Sequence, residues 1–461
     1  MSEILEETET LKSINPATGD LVGEVPVADA VAVRAAVAHA RAALPAWRAL
    51  SVAARREYLA PAQQALLDQL EELSALVTAE MGKPLADARG EVSYTASSLP
   101  GMLDELEAAL APEVIEDERV RSEVHYEPHG VCAVITPWNF PLLMPHTAVI
   151  PALMAGNAVI LKPSEESPLV AAAYVEALAK GLPEGVLQVV QGGDATGQAL
   201  VAADVNLIAF TGSRETGKAI LRAASEGLKR VILELGGKDP LVVLEDADVE
   251  QAAGFAVRNG FRNAGQVCVS TERIFVHEAI AGDFEAALAE KVAALKVGPG
   301  TEPEVTVGPM VNARQKAHVV AQVEAALASG ARLVAGGEPR EGNYVQPTVL
   351  ADVDPHASIM RDETFGPVVC VGTFATDAEA IELANDTPFG LGAAVFGAQE
   401  HAAYVARQVE AGMVGVNRGC GGAEGSPWVG AKESGYGFHS GVAGHRQFAI
   451  PRVVSAAKPH D

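Results

Sequence analysis

The order of strand-like and helix-like segments along this 461-residue chain predicts an α/β protein built from two doubly wound domains. From residue 131, short β-branched runs at 131–136, 157–161, 186–190, 205–210 and 230–233 are separated by helical stretches such as 169–182 and 215–224. That alternation implies parallel strands joined by crossover helices. A second series follows, with strands at 241–244, 273–277, 331–335, 368–374, 393–396 and 413–416 and helices near 282–295 and 312–327. A single hydrophobic core stops growing near roughly 250–300 residues. The two series are therefore expected to be two domains, divided just after Gly237.

Ahead of the first strand, residues 29–110 are rich in Ala and Leu at helical spacing, notably 30–43 and 53–81, and read as a helical lead-in. Residues 1–115 and 131–237 are assigned to the first domain and 238–440 to the second, leaving 116–130 and 441–461. The run Arg452-Val-Val-Ser-Ala-Ala is β-prone and follows a polar loop. It either completes a sheet of its own chain or offers an edge to another subunit.

Composition narrows the partners. Hydrophobic residues make up 49% and charged residues 20%, a globular balance, and no apolar run approaches the ~18 residues of a membrane span. A formal charge of −26 repels nucleic acid and anionic membranes, and no dense Lys/Arg cluster reverses it locally. Neither is expected as a partner, and an anionic cofactor must be held by local groups such as backbone amides and Lys162. The acidic start Met1-Ser-Glu-Ile-Leu-Glu-Glu-Thr-Glu is unlike a basic export leader, so a cytoplasmic protein is expected. Cys132, Cys268, Cys370 and Cys420 contain no C-x-x-C pair, and no metal site or disulfide framework is expected. Cys132 and Cys370 lie in apolar strand-like runs and read as inert; Cys420 sits in a glycine-rich loop. His125 and His129 have the spacing of a helical metal pair, but Pro128 and β-prone flanks speak against a helix, so both read as ordinary surface histidines.

Chemistry concentrates in a few turns. Val231-Ile-Leu-Glu-Leu-Gly-Gly237 carries Glu234 between an apolar strand and two glycines, and Cys268 of Gly265-Gln-Val-Cys268 lies 34 positions after that glutamate. A thiol and a carboxylate on separate glycine-flanked turns are the parts of nucleophilic catalysis with a general base. Asn139 in Thr136-Pro-Trp-Asn-Phe-Pro141 carries an amide able to donate to an oxyanion. Phe210-Thr-Gly-Ser213 follows a strand and opens a helix, so its amides can face a pyrophosphate, although the loop departs from G-x-G-x-x-G.

Together with Leu161-Lys-Pro-Ser-Glu165, these motifs resemble, in order and spacing from about Ile14 to Val454, the NAD(P)-dependent aldehyde dehydrogenase superfamily. The resemblance implies two Rossmann-like domains, for cofactor and catalysis, plus a small β element in which 441–461 joins 116–130, near Tyr126, for assembly into a homodimer or homotetramer. It implies that Cys268 adds to an aldehyde, that the thiohemiacetal gives up hydride to nicotinamide, and that Glu234 activates the water that hydrolyses the thioester. The cofactor would meet Thr136, Pro137, Trp138, Lys162, Ser164, Glu165, Gly212, Ser213, Leu235, Gly236, Glu363 and Phe365. Glu165 favours NAD by repelling a 2′-phosphate, while Lys162 leaves NADP open. Arg262 and Ser434 are implied at the substrate.

The pattern thins at three places. Ala148 stands where many members carry a relay lysine, Thr147 where a second carboxylate-binding arginine would be, and 417–427 is unlike the family's loop. A semialdehyde and an apolar or aryl aldehyde both remain open. Acyl transfer to coenzyme A is disfavoured by Glu234, and a non-catalytic NAD-binding protein by the intact trio; a cysteine hydrolase lacks a histidine beside Cys268.

Overall fold

The computed structural model describes residues 9–458; the acidic residues 1–8 and the last three lie outside them. A hairpin of Thr10–Ile14 and Leu21–Pro26 leads into five helices ending with Leu85–Ala109. The helical stretch expected at 53–81 is three helices, Val52–Leu59, Ala62–Asp68 and Leu70–Met81. Pro61, which cannot donate a backbone hydrogen bond, and Gln69, at φ −106° and ψ 14°, mark the breaks.

The first sheet places Leu187–Val189, Ala158–Lys162, Val131–Ile135, Leu207–Thr211 and Arg230–Glu234 side by side in that order, all parallel. Chain order reverses between Val131–Ile135 and Leu207–Thr211, the switch point beside which open α/β sheets bind ligands at their carboxyl ends. The continuous apolar runs follow from burial on both faces. Cys132, Val134, Val159 and Leu161 enter one core, under helices such as Leu85–Ala109 and Pro168–Ala179, while Val131, Ala133, Ala158 and Ile160 enter the other, under Ala30–Arg48.

Backbone pairing passes to the second sheet between Glu234 and Asp239. Its order is Arg332–Ala335, Thr348–Ala351, Val368–Phe374, Thr271–His277, Asp239–Val243, Gly392–Phe396 and Met413–Val416, parallel except for the antiparallel first edge. Thr348–Ala351, a short run after Pro347, is a strand that its four residues do not announce. Late in the chain, Gly435–Tyr436 returns to the first sheet and pairs antiparallel with Glu234 and Leu233.

The third sheet joins Glu113–Glu116, Val120–Pro128 and Ala449–Ala457. The last strand therefore has a partner within its own chain, with Pro451 opposite Tyr126, and its outer edge is open. His125 and His129 lie on strand Val120–Pro128 and just after it, both part-exposed, and hold separate partners: one faces Glu123, and the other meets the Gln447 carbonyl at 3.1 Å.

Candidate active site

Turns at the carboxyl ends of both sheets enclose a cavity of about 390 Å³. Pro137, Trp138 and Asn139 follow strand Val131–Ile135; Gly212 and Ser213 follow Leu207–Thr211; Glu234, Leu235 and Gly236 end Arg230–Glu234; Cys268, Glu363 and Phe365 come from the second domain. Parallel strands put all their βα turns on one edge, which is why motifs spread over 230 positions of sequence converge.

Cys268 follows an unusual turn. Asn263 (φ 52°), Ala264 (φ 55°) and Gly265 (φ 70°) are consecutively left-handed. The two non-glycine residues cost roughly 1–2 kcal/mol each. Offsetting bonds run from Asn263 Nδ2 to the carbonyls of Asn139 and Gln266, from Gln266 Nε2 to Asn263 O, and from Val311 N to Gln266 Oε1. Gly265 cannot be replaced, since a Cβ there would overlap the Gly366 carbonyl. The turn leaves the thiol part-exposed to the cavity, whereas Cys132 and Cys370 are buried in strands.

Asn139 is buried and donates from Nδ2 to Gln266 O at 3.0 Å, which leaves its second N–H for another acceptor. Glu234 is also buried; Oε1 accepts from Trp428 Nε1 at 3.3 Å, and Oε2 has no hydrogen-bond partner. Burial pushes this carboxyl up to about 7, against the smaller opposing effects of Cys268 and Trp428. The Cys268 thiol is raised well above its ordinary value, first by burial and then by the Glu234, Asp239 and Glu363 carboxylates. Around neutrality the thiol rests protonated and the carboxyl is partly ionised, so Glu234 can receive the thiol proton as sulfur bonds to a substrate carbon rather than ahead of that step.

Glycines allow this approach. A Cβ on Gly237 would overlap Cys268 O, and one on Gly236 would overlap the Glu363 carboxyl. Gly237 N donates to Glu363 Oε1 at 3.2 Å, and burial with the nearby Glu272 charge raises Glu363 to about 8. A buried network fixes the Glu363 loop: Glu272 pairs with Lys238 and accepts from Thr364 N and Phe365 N. Phe365, at φ 49°, meets Trp138 edge to face with centroids 5.5 Å apart.

Other expected residues fall elsewhere. Thr136, Lys162, Ser164 and Glu165 do not line this cavity but lie beside it, at the ends of adjacent strands; Thr136 N donates to Lys162 O, and Lys162 Nζ is 3.5 Å from Glu165. Arg262 is exposed and lines a second cavity of about 390 Å³ with Lys83, Asp87, Tyr94, Phe140 and Leu143. Its guanidinium lies over the Phe140 ring, 5.5 Å from the centroid, and among the described residues no carboxylate pairs with it. Thr147 returns its hydroxyl to Met144 O. The expectation that Ser434 touches substrate is corrected: the residue is fully buried, and its hydroxyl donates to Gly236 O at 2.7 Å and accepts from Gly390 N at 2.9 Å. Sequence reasoning missed Met144, Thr211, Arg314, Gln315 and His318. The last three lie near the start of helix Ala313–Ala328, and as polar residues on a helix they carry no signal of a cavity.

The donors suit a dinucleotide. Ser213 caps helix Arg214–Ser225 by accepting from Thr216 N, so the helix start beside the switch point presents backbone N–H groups to a phosphate.

Comparison with known proteins agrees. The chain is 39% identical over 440 residues to a glutarate-semialdehyde dehydrogenase of Pseudomonas putida, covering 93% of this chain and 90% of that one. It is 39% identical over 438 residues, with the same coverage, to the NADP(+) succinate-semialdehyde dehydrogenase GabD of Escherichia coli. A crystal structure of PnpE in complex with nicotinamide adenine dinucleotide superposes with a TM-score of 0.93 at 35% identity, covering 97% of this chain and 94% of that one. Residues 4–454 match the aldehyde dehydrogenase family, and this chain belongs to it.

Proposed function

We propose that this enzyme, an oxidoreductase acting on aldehydes, oxidises a semialdehyde bearing a distal carboxylate, using Cys268 as nucleophile and Glu234 as base. The observation that carries the residue roles is one cavity holding the Cys268 thiol, the Glu234 carboxyl and the Asn139 amide. Nicotinamide dinucleotide, when bound, supplies the hydride acceptor. Ser213 and the helix start behind it would hold its pyrophosphate, Glu363 and Phe365 its nicotinamide end, and Glu165 its adenosine ribose. NAD is the preferred form because of Glu165, and Lys162 can accommodate the phosphate of NADP.

Cys268 gives its proton to Glu234 as sulfur bonds to the aldehyde carbon. The second N–H of Asn139 and the Cys268 backbone N–H hold the oxyanion, a contact whose loss typically costs ~10²–10³ in rate. Once the thioester stands and Glu234 has released the thiol's proton to solvent, its carboxylate takes a proton from water, which attacks the acyl carbon; the C–S bond breaks, the acid leaves and the Cys268 thiolate takes that proton back from Glu234. Arg262 supports the substrate class: it is a guanidinium without a carboxylate partner among the described residues, in a cavity it shares with Phe140, the neighbour in sequence of Asn139, and Asn263, which opens the turn before Cys268. The two relatives named above act on aldehydes of that kind.

Assembly as a homodimer or homotetramer is part of this reading. The open edge of Ala449–Ala457 exposes Ile450, Val453 and Val454, and Val114 and Ile115 are exposed in the same sheet. We place the enzyme in the cytoplasm, where four unpaired cysteines stay reduced. Among the described residues no helix is long and apolar enough to cross a membrane.

The test is cofactor reduction with semialdehydes, aliphatic and aryl aldehydes, with NAD and with NADP. Cys268→Ala abolishes turnover, and Arg262→Ala raises KM for the semialdehydes at least about tenfold while leaving neutral aldehydes unaffected. Equal KM changes for both classes remove the carboxylate assignment, and coenzyme A-dependent turnover removes hydrolysis.

A further inference from the structure

The Glu234 carboxyl is held in the cavity by a single side-chain donor. Oε2 is buried without a partner, and Oε1 accepts one hydrogen bond, from the indole N–H of Trp428. Trp428 arrives on a hairpin. Trp428–Val429 pairs antiparallel with Phe438–His439, Trp428 lies opposite His439, and the indole stacks on that imidazole with centroids 6.3 Å apart and planes 17° from parallel. The same hairpin carries Gly435–Tyr436, which pairs with the backbone of Glu234 and Leu233. One excursion of chain thus grips both the backbone and the side chain of the same glutamate. A phenylalanine at 428 could stack equally well, so the indole nitrogen is the part of this residue that packing does not require.

We propose that Trp428 is a positioning residue, whose N–H holds the Glu234 carboxylate toward Cys268 for the hydrolysis of the thioester. The inference rests on the reading of Glu234 as base and concerns what aims it. Trp428 acts through Glu234 and does not itself line the cavity with Cys268.

The groups around Glu234 come from several elements. The Cys268 thiol faces it from the left-handed turn, Glu363 from the loop before Val368–Phe374, and Asp239 stands beyond the thiol at the start of its strand. All three are acids, so Trp428 is the fixed donor among them. His439, behind the indole, is pulled down to about 4 by burial and stays neutral through the working range. A donor to the carboxylate form favours that form, so its loss moves the ionisation of Glu234 to higher pH.

Turnover is measured from about pH 5.5 to 9.5 for wild type, Trp428→Phe, Glu234→Gln and the double variant. In wild type the rate climbs through an ionisation near the Glu234 value of about 7. In Trp428→Phe that climb moves up by roughly half to one pH unit, so kcat falls about three- to tenfold below the midpoint and recovers above it. KM for the cofactor stays unchanged. In the Glu234→Gln background the Trp428→Phe change costs nothing further, because the group it acts on is gone. Coincident wild-type and Trp428→Phe profiles overturn the inference, as does an equal loss on top of Glu234→Gln. A wild-type profile in Glu234→Gln instead overturns the base reading. A second readout is indole emission: it titrates with Glu234 in wild type, and because Trp138 lines the same cavity the part of that titration lost in Trp428→Phe reports the contact; equal titrations in the two proteins also overturn the inference.

Discussion

Replacing Ser434 by alanine tests whether this residue is a tie within the fold or a contact with substrate. Its hydroxyl donates to Gly236 O and accepts from Gly390 N, at 2.7 and 2.9 Å, in a position with no solvent exposure. Alanine leaves a buried N–H and a buried carbonyl without those partners, each worth about 1–3 kcal/mol, with the carbonyl at the low end because its second lone pair can find other contacts. The sum is about 2–4 kcal/mol. For a domain of roughly 200 residues that lowers the unfolding midpoint by about 5–10 °C. The assay is thermal unfolding of wild type and Ser434→Ala at one scan rate and one protein concentration, since irreversibility makes the midpoint depend on scan rate and association makes it depend on concentration. Steady-state KM for the aldehyde is measured alongside. A midpoint unchanged within about 1 °C together with a KM raised fivefold or more would refute the structural assignment and restore the substrate contact.

Two further outcomes follow from the same geometry. The Glu234 carboxyl rises from the ordinary 4.5 to about 7 on folding, so its protonated form favours the fold. That contribution is whole below pH ~4.5 and lost above ~7; glutamine has none to lose, so Glu234→Gln gains about 2–3 kcal/mol on wild type between pH 5 and 8. Parallel unfolding midpoints against pH for the two proteins would contradict it. Gly237→Ala drives a methyl group into Cys268 O and the Asp239 carboxyl. Displacing Cys268, the proposed nucleophile, by about 1 Å lowers kcat about 10²-fold, and a kcat within twofold of wild type would mean the turn has room.

Much of the site was legible because a parallel sheet converts sequence order into spatial order. The strands ending near Ile135, Thr211 and Glu234 were readable from their apolar runs, and the motifs following them had to share one edge. Residues that arrive by other routes left no such trace. Arg314, Gln315 and His318 approach from a helix whose polar face looks like any solvated face. Ser434 sits in a loop of small and charged residues, where nothing local distinguishes a buried serine from an exposed one. Trp428 follows a glycine-rich stretch of no regular period, and only pairing with His439 sets its direction. Arg262 was readable as a cation, but its distance from Cys268 depends on three left-handed residues in succession, which no side chain there demands. The Lys83–Glu91 pair was invisible for a related reason: both are fully charged residue types in a helical lead-in, yet Glu91 accepts from Leu142 N and Leu143 N and so anchors the segment that follows Asn139.

The return of Gly435–Tyr436 to the first sheet bears on how the molecule is made. A ribosome delivers the strand ending at Glu234 about two hundred residues before the strand that will lie beside it. Through that interval the first domain can bury its core but presents an unpaired edge, with the proposed base at its end. Domains fold in the order they emerge, so this enzyme's first half waits for its second to close a sheet and aim a side chain. Competence to react is in this sense withheld until the chain is almost finished.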